Sequence, residues 1–129
     1  MIFGNMFGGG VPEILPGELK QKLDAGEDLH LIDVRELQEY EEARIDNTVL
    51  VPQAAVGSSS GPYAQAMNDI LLDKEKEVIV ICRSGMRSLM AGQALTQMGF
   101  SNVKSLKSGV IGWANSGFPV SSGAIARAV

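Results

Sequence analysis

The sequence predicts an α/β domain of three layers, in which a central, mostly parallel sheet of five strands has helices on both faces. Short apolar segments of strand length alternate along the chain with segments whose apolar residues recur at helical spacing. Such alternation is typical of parallel strands connected by helices that cover the sheet. The chain has 129 residues, which is enough for one domain of this kind and too few for two.

The order of the elements follows from these segments. We expect strands at residues 11–15, 29–35, 48–52, 78–81 and 103–106. We expect helices at residues 16–25, 36–43, 62–72, 87–98 and 110–115. The domain is expected to cover residues 11–120, between a flexible N-terminal arm (1–10) and a small, polar tail (121–129) that frays. Residues 54–61, which are rich in glycine and serine, are predicted to be a linker.

Local signals support the elements of the first half. Pro16 suits the first position of a helix, in which Leu19 and Leu23 recur four residues apart. The strand that follows, residues 29–35, is short and mostly apolar, which suits burial on both faces. Pro52 ends the third strand. The core-facing residues of the next two helices are expected to be Leu37, Tyr40, Ala66, Met67 and Ile70.

The second half contains the strongest strand and the strongest helix of the sequence. Residues 78–81 are four consecutive β-branched aliphatic residues. In residues 87–98, apolar side chains recur at helical spacing. Gly99 suits the position that ends this helix, and Phe100 can pack back on its last turn. The final helix, residues 110–115, contains Trp113, the only tryptophan.

Cys82, the only cysteine, follows the strongest strand directly. A polar loop with Arg83, Gly85 and Arg87 comes next and leads into the strongest helix. Ligands of parallel α/β sheets bind beyond the carboxyl ends of the strands, so the sequence places a thiol at the expected site. We therefore predict that Cys82 is a nucleophile and that the loop binds an anion.

A cysteine nucleophile reacts as its thiolate, which must be stabilised by its surroundings. No histidine is near Cys82 in the sequence, and His30 belongs to a different predicted strand. The remaining means are the backbone N–H groups of the loop, the positive end of the helix that follows, and the two arginines. The opposing interpretation is an inert, buried cysteine, because free cysteines are usually buried. The residues alone leave both interpretations open.

Composition excludes several other classes of function. The net charge is −4 and no basic run is present, which argues against nucleic-acid binding. No apolar run reaches the roughly 20 residues of a membrane span, and residues 1–10 contain neither the basic region nor an apolar region of the length typical of a secretion signal. One cysteine cannot form an internal disulfide, and one cysteine with one histidine cannot build a zinc site. We expect a cytoplasmic protein that uses no metal and no cofactor.

Four segments, in order along residues 12–120, resemble the single-domain rhodanese (sulfurtransferase) family. They are LIDVRE at 31–36 with EY at 39–40, VIVICRSGMRS at 78–88, MGF at 98–100 with NV at 102–103, and SG at 108–109 with Trp113 and GFPV at 117–120. The resemblance implies the rhodanese-like fold. It also implies that Cys82 takes a sulfane sulfur from a small anionic donor such as thiosulfate, holds it as a persulfide and passes it to cyanide or a thiol.

The resemblance assigns roles to further residues. The substrate-binding residues would be those of the loop: Arg83, Ser84, Gly85, Met86 and Arg87. Structural residues near the site would be Asp33, Arg35 and Trp113. We expect Arg87→Ala to raise the KM for thiosulfate more than Arg83→Ala, because Arg87 begins a helix and is better fixed. We also expect a monomer or weak dimer.

Two alternatives remain beside a sulfurtransferase acting on free donors. In one, the domain is a sulfur-relay or regulatory module, and a protein is the sulfur acceptor. In the other, it is a phosphatase or arsenate reductase. Four residues lie between Cys82 and Arg87, whereas those enzymes carry one more because a tetrahedral oxyanion needs a wider ring of amides. The loop length therefore favours sulfur transfer.

The sequence departs from the family pattern at two places that do not include the thiol. Residues 43–48 read ARIDNT, where the family commonly has Gly-His-Ile followed by Pro-Gly-Ala. Ser108-Gly109 keeps one glycine of the usual pair. We expect altered packing or turn geometry at the first place and intact chemistry at both.

Overall fold

The computed structural model describes residues 10–125 and shows a parallel five-stranded sheet with helices on both faces, which confirms the predicted fold class. The strands are β1 (Glu13–Ile14), β2 (His30–Asp33), β3 (Val49–Leu50), β4 (Val78–Ile81) and β5 (Val103–Leu106). The helices are α1 (Pro16–Asp24), α2 (Leu37–Glu42), α3 (Ala64–Leu71), α4 (Met86–Gln97) and α5 (Gly109–Asn115). The strand order is β1-β5-β4-β2-β3, so β4 lies in the middle of the sheet.

Burial of β4 on both faces explains its uninterrupted apolar sequence. All four of its residues are 0% exposed, and β2 and β5 pair with it on either side. Successive side chains of a strand point to opposite faces. Val78 and Val80 therefore join the core under α3 and α4, whereas Ile79 and Ile81 join the core under α1 and α5. Cys82 continues the alternation and lies in the first of these cores.

Helix α4 has the C-terminal geometry expected from its sequence. Gly99 has a φ of +103°, and its N–H bonds the carbonyl of Thr96 at 3.0 Å. The N–H of Phe100 bonds the carbonyl of Leu95 at 3.2 Å, which completes a Schellman motif. Phe100 is buried, as predicted. The helix begins at Met86, one residue earlier than expected, which is within the usual variation of helix ends.

Two segments between the elements differ from the prediction. The first two residues of the predicted linker belong to a 3₁₀ turn, Gln53–Ala55. The sequence has no periodicity in this segment, so the turn was not predicted. The third helix begins at Ala64 instead of residue 62. Its two buried residues, Met67 and Ile70, are among those predicted to face the core.

The beginning of the predicted tail is paired rather than frayed. Ser121 forms an antiparallel bridge with Arg44, with 2.8 Å hydrogen bonds in both directions. The Arg44 guanidinium also donates to the Gly123 carbonyl at 2.7 Å, and the Gly123 N–H donates to the Glu41 carbonyl at 2.8 Å. The pairing falls in residues 43–48, where the sequence departs from the family pattern, and Asn47 there has a φ of +65°.

The other domain limits stay predictions. Residues 1–9 of the predicted arm and residues 126–129 of the tail lie outside the described residues. Among residues 10–125, no helix is long and apolar enough to cross a membrane.

Candidate active site

The candidate site lies at the carboxyl edge of the sheet, where β4 ends and Cys82 begins the loop. The neighbouring strand ends at the same level, because Asp33 of β2 pairs with Ile81 of β4. Cys82 is 1% exposed, whereas Arg83, Ser84 and Met86 of the loop are exposed. The sulfur therefore lies at the inner side of a loop whose outer side faces solvent.

Gly85 brings a backbone N–H group to the sulfur. Its N–H donates to Cys82 Sγ at 3.0 Å. Gly85 has a φ of +109°, a conformation that other residues rarely adopt. It is also the N-cap residue of α4, so the turn that aims this N–H at the sulfur directly precedes the helix. A hydrogen bond from a fixed amide stabilises a thiolate.

The first turn of α5 fixes the loop from the other side. The N–H of Val110 donates to the Cys82 carbonyl at 2.9 Å, and that of Ile111 donates to the Arg83 carbonyl at 3.1 Å. These N–H groups lie in the first turn of α5, where a helix has no internal partner for them. A Cβ on Gly109 would lie 2.3 Å from the Cys82 carbonyl oxygen, so only glycine fits there. Gly109, the one glycine of the usual family pair that this sequence keeps, is thus required for steric reasons.

Arg87 of the loop is held by a carboxylate of α2. Its two terminal nitrogens donate to the two oxygens of Glu39 at 2.6 and 2.7 Å. The hydrogen bonds from Arg87 lower the pKa of Glu39 from 4.5 to about 2, although partial burial opposes this. The same hydrogen bonds raise the pKa of Arg87. The Arg83 guanidinium is exposed and has no hydrogen-bond or ion-pair partner within residues 10–125.

Asp33 and Arg35 form a buried ion pair that supports Glu39. Arg35 Nε and Nη2 donate to the Asp33 carboxylate at 2.9 and 2.8 Å, and the two side chains are 4% and 0% exposed. The remaining donors of Arg35 bond the carbonyls of Glu39 at 3.2 Å and Ala43 at 2.7 Å. Arg35 therefore connects the end of β2 to α2, the helix that carries the carboxylate of the Arg87 ion pair.

Trp113 and His30 make their hydrogen bonds outside the loop, and a structural role for Trp113 near the site stays a prediction. The Trp113 indole donates to the Pro119 carbonyl at 2.8 Å and its ring contacts Phe118, in the core under α1 and α5. His30 begins β2 and so lies at the amino-terminal end of that strand, whereas the loop lies at the carboxyl ends of the strands. Its Nε2 lies 2.8 Å from the Asp73 carbonyl oxygen. The hydrogen bonds of Trp113 and His30 thus involve no residue of the loop.

The structure adds three residues that the sequence did not assign to the site. They are Glu39, Ser88 and Ser105. Glu39 and Ser88 lie within segments that resemble the family signatures, so their presence was visible but their contacts were not. Ser105 is the one serine of a short, mostly buried strand, and its position there was the only sequence signal that it has a special role.

Comparison with known proteins identifies the family to which this fold belongs. Residues 15–116 match the family model described as a rhodanese-like domain. The chain is 40% identical over 103 residues to "Putative sulfurtransferase YtwF" of Bacillus subtilis, covering 80% of this chain and 90% of that protein. The chain therefore belongs to the rhodanese-like domain family, and its sulfurtransferase relatives support sulfur transfer in general.

Two further similarities have narrower meaning. "Putative sulfur carrier protein YrkF" of B. subtilis is 36% identical over 103 residues, covering 80% of this chain. The chain spans about half of that relative, 51% of its length. The structure of the human single-domain sulfurtransferase TSTD1 matches with a TM-score of 0.68 at 23% identity, covering 82% of this chain and 97% of that one. At this identity the match concerns the fold alone.

Proposed function

We propose that this protein is a sulfurtransferase that moves a sulfane sulfur from a small anionic donor such as thiosulfate to cyanide or a thiol, through a persulfide on Cys82. The observation that carries the proposal is the hydrogen bond from the Gly85 N–H to Cys82 Sγ, 3.0 Å long, at the carboxyl end of β4. It gives the only cysteine of the chain a fixed donor that favours the thiolate.

The reaction follows from the chemistry of a thiolate in this loop. The Cys82 thiolate attacks the outer sulfur of thiosulfate, an S–S bond forms to Cys82, and sulfite leaves with the electron pair of the broken bond. Cyanide or a thiolate then attacks the outer sulfur of the persulfide, and the Cys82 thiolate leaves. The loop amides from Arg83 to Arg87 hold the outer sulfur in this scheme, and the arginines attract the anionic donor.

The burial of Cys82 suits a persulfide carrier. Because the residue is 1% exposed, a small donor reaches the sulfur more readily than a bulky one. In the persulfide, the outer sulfur lies about 2 Å from Cys82 Sγ, which is the length of an S–S bond. The acceptor then needs to reach only the outer sulfur, so it can be larger than the donor.

A second candidate function is sulfur relay to a protein acceptor. Met86 and Met90 of α4 are 72% and 63% exposed, and Ile111 of α5 is 41% exposed. All three belong to helices whose first turns contact the loop. Exposed methionines form adaptable contact surfaces in protein interactions. Exposed apolar side chains on the two helices that border the loop favour a protein that brings its own sulfur acceptor to the site.

Intact-mass spectrometry after exposure to thiosulfate tests the proposal. We expect a gain of about one sulfur atom on the wild-type chain and none on Cys82→Ser. Because the chain has one cysteine, an adduct can be assigned without digestion. If thiosulfate and other sulfane donors give no adduct on the wild-type chain, the sulfur-transfer function is wrong.

Turnover measurements separate the two candidates. Rates of persulfide discharge are compared for cyanide, a small dithiol and protein thiols. Faster discharge to small acceptors supports the free sulfurtransferase. A preference for protein thiols that Met90→Ser reduces supports the relay, because Met90 is exposed and lies outside the loop.

A further inference from the structure

Two fully buried serines lie directly beneath Cys82. Ser88 of α4 and Ser105 of β5 are both 0% exposed. Ser88 Oγ lies 3.4 Å from Cys82 Sγ, 3.2 Å from the Gly85 carbonyl oxygen and 2.6 Å from Ser105 Oγ. Burying a hydroxyl is costly unless it is hydrogen-bonded, so the direction of each hydrogen bond matters.

The direction of the bond between the two serines follows from counting donors. Among residues 10–125, the Ser105 hydroxyl has no hydrogen-bond partner other than Ser88 Oγ. If Ser105 accepted this bond, its own buried proton would have no acceptor. Ser105 therefore donates to Ser88, and the single proton of Ser88 is left for either the Gly85 carbonyl or Cys82 Sγ.

In the thiol state the network is saturated. The Cys82 S–H donates to Ser88 Oγ, Ser105 donates to its second lone pair, and Ser88 donates to the Gly85 carbonyl. A hydroxyl has one proton and two lone pairs, and in this arrangement Ser88 uses all three. The structure shows distances that fit this state.

The geometry points to a different arrangement when Cys82 ionises, and we propose that Ser88 is a hydrogen-bond switch for the nucleophile. The thiol proton leaves to solvent water, and the Ser88 hydroxyl turns from the Gly85 carbonyl to Sγ, which is already at hydrogen-bond distance. The thiolate then has two donors, Ser88 and the Gly85 N–H. The Gly85 carbonyl gives up the Ser88 hydroxyl in this arrangement, and the stronger, charge-assisted hydrogen bond to the thiolate offsets that loss.

Ser105 makes this switch more favourable in the ionised state. After the thiol proton has left, Ser105 supplies the one remaining donor to Ser88 Oγ. A donor to that oxygen also polarises the Ser88 hydroxyl and strengthens its bond to the thiolate. Ser88 is thus a catalytic residue that touches the reacting sulfur, and Ser105 is a positioning residue that acts through Ser88.

This inference rests on the proposed role of Cys82 as nucleophile, but its test uses no sulfur donor. The ultraviolet absorbance of the thiolate is titrated against pH in the full chain, with Cys82→Ser as the blank. We expect Ser88→Ala to move the midpoint up by about one pH unit, since a hydrogen bond to a charged group is lost. We expect Ser105→Ala to move it up by roughly half a unit. Ser88→Thr keeps the hydroxyl, so its midpoint is expected to equal that of the wild-type chain.

Controls keep the test specific. Thr96→Val removes another hydroxyl of α4, one that bonds the Gly92 carbonyl at 2.9 Å, and it should leave the midpoint unchanged. The charged groups on the elements around the sulfur are the same in every serine variant: Arg83, Arg87 with Glu39, and Asp33 with Arg35. A midpoint that is unchanged or lowered in either Ser88→Ala or Ser105→Ala overturns the switch. An equal rise in Thr96→Val also overturns it.

If no persulfide forms but the midpoints move as expected, the switch stands and sulfur transfer is rejected. If the persulfide forms but the midpoints do not move, the switch is rejected and the proposed function stands.

Discussion

Replacing Glu39 by glutamine should remove a contribution to stability whose size can be worked out from the structure. Glutamine keeps an oxygen that can accept from the Glu36 N–H, a bond of 3.0 Å, so the substitution mainly removes charge. The pKa of Glu39 falls from 4.5 to about 2 on folding, chiefly through the hydrogen bonds from Arg87. Each pKa unit corresponds to 1.36 kcal/mol, which sets an upper limit of about 3 kcal/mol.

Solvent screening reduces this figure. The side chains of Glu39 and Arg87 are 25% and 34% exposed, and partly exposed ion pairs stabilise proteins by less than their pKa shifts imply. We expect Glu39→Gln to lower the free energy of unfolding at pH 7 by roughly 1–2 kcal/mol. Because the folded-state pKa is the lower one, the contribution is fully present above pH 4.5 and is lost as the pH falls toward 2.

Urea denaturation at a series of pH values measures this difference. The gap in unfolding free energy between the wild-type chain and Glu39→Gln should be constant from pH 7 to about pH 5.5 and should narrow below pH 4.5. Glu42→Gln, on the same helix but with no ion pair among residues 10–125, is the matched control and should show no such gap. A gap that is absent at pH 7, or that does not narrow in acid, would refute the reasoning.

Two further predictions concern the loop and its supports. Arg87→Ala should raise the KM for thiosulfate by roughly tenfold and more than Arg83→Ala, because it leaves the Glu39 carboxylate uncompensated beside the loop. The double variant Glu39→Gln with Arg87→Ala should recover only part of the KM increase, because it removes the uncompensated carboxylate but not the need for Arg87. An equal or larger effect of Arg83→Ala contradicts the ranking. Gly109→Ala should lower the free energy of unfolding by about 2–4 kcal/mol, because its Cβ would overlap the Cys82 carbonyl. Gly117 also has a positive φ, but no atom lies within 4 Å of an added Cβ, so Gly117→Ala should lower the free energy of unfolding by only about 1 kcal/mol. Urea denaturation measures both variants, and equal losses would contradict the steric argument.

Local patterns were sufficient for the parts of the fold that local forces determine. The uninterrupted apolar run of β4 predicts burial on both faces, and Gly99 predicts the end of α4. The position of Cys82 follows from these two elements, because a nucleophile between a buried strand and a helix start has one place in a parallel sheet. The four-residue spacing from Cys82 to Arg87 is likewise a local quantity.

Contacts between distant segments could not be predicted in this way. Glu39 and Arg87 are 48 residues apart, and no periodicity indicates that they meet. Ser105 reaches Ser88 only because β5 lies beside β4 in the sheet, and the sequence predicts the strands but not their order. The bridge between Arg44 and Ser121 was missed for the same reason, and a polar tail of small residues gives no sign of a partner.

The bridge between Arg44 and Ser121 also couples the end of the chain to the helix beside the site. Gly123 bonds the Glu41 carbonyl and accepts from Arg44, so residues 121–123 hold the last turn of α2, two residues beyond Glu39. Any molecule that binds residues 121–123 in an extended form must first separate them from α2. By thermodynamic reciprocity, whatever strengthens the Glu39–Arg87 ion pair would then weaken that binding, and the reverse.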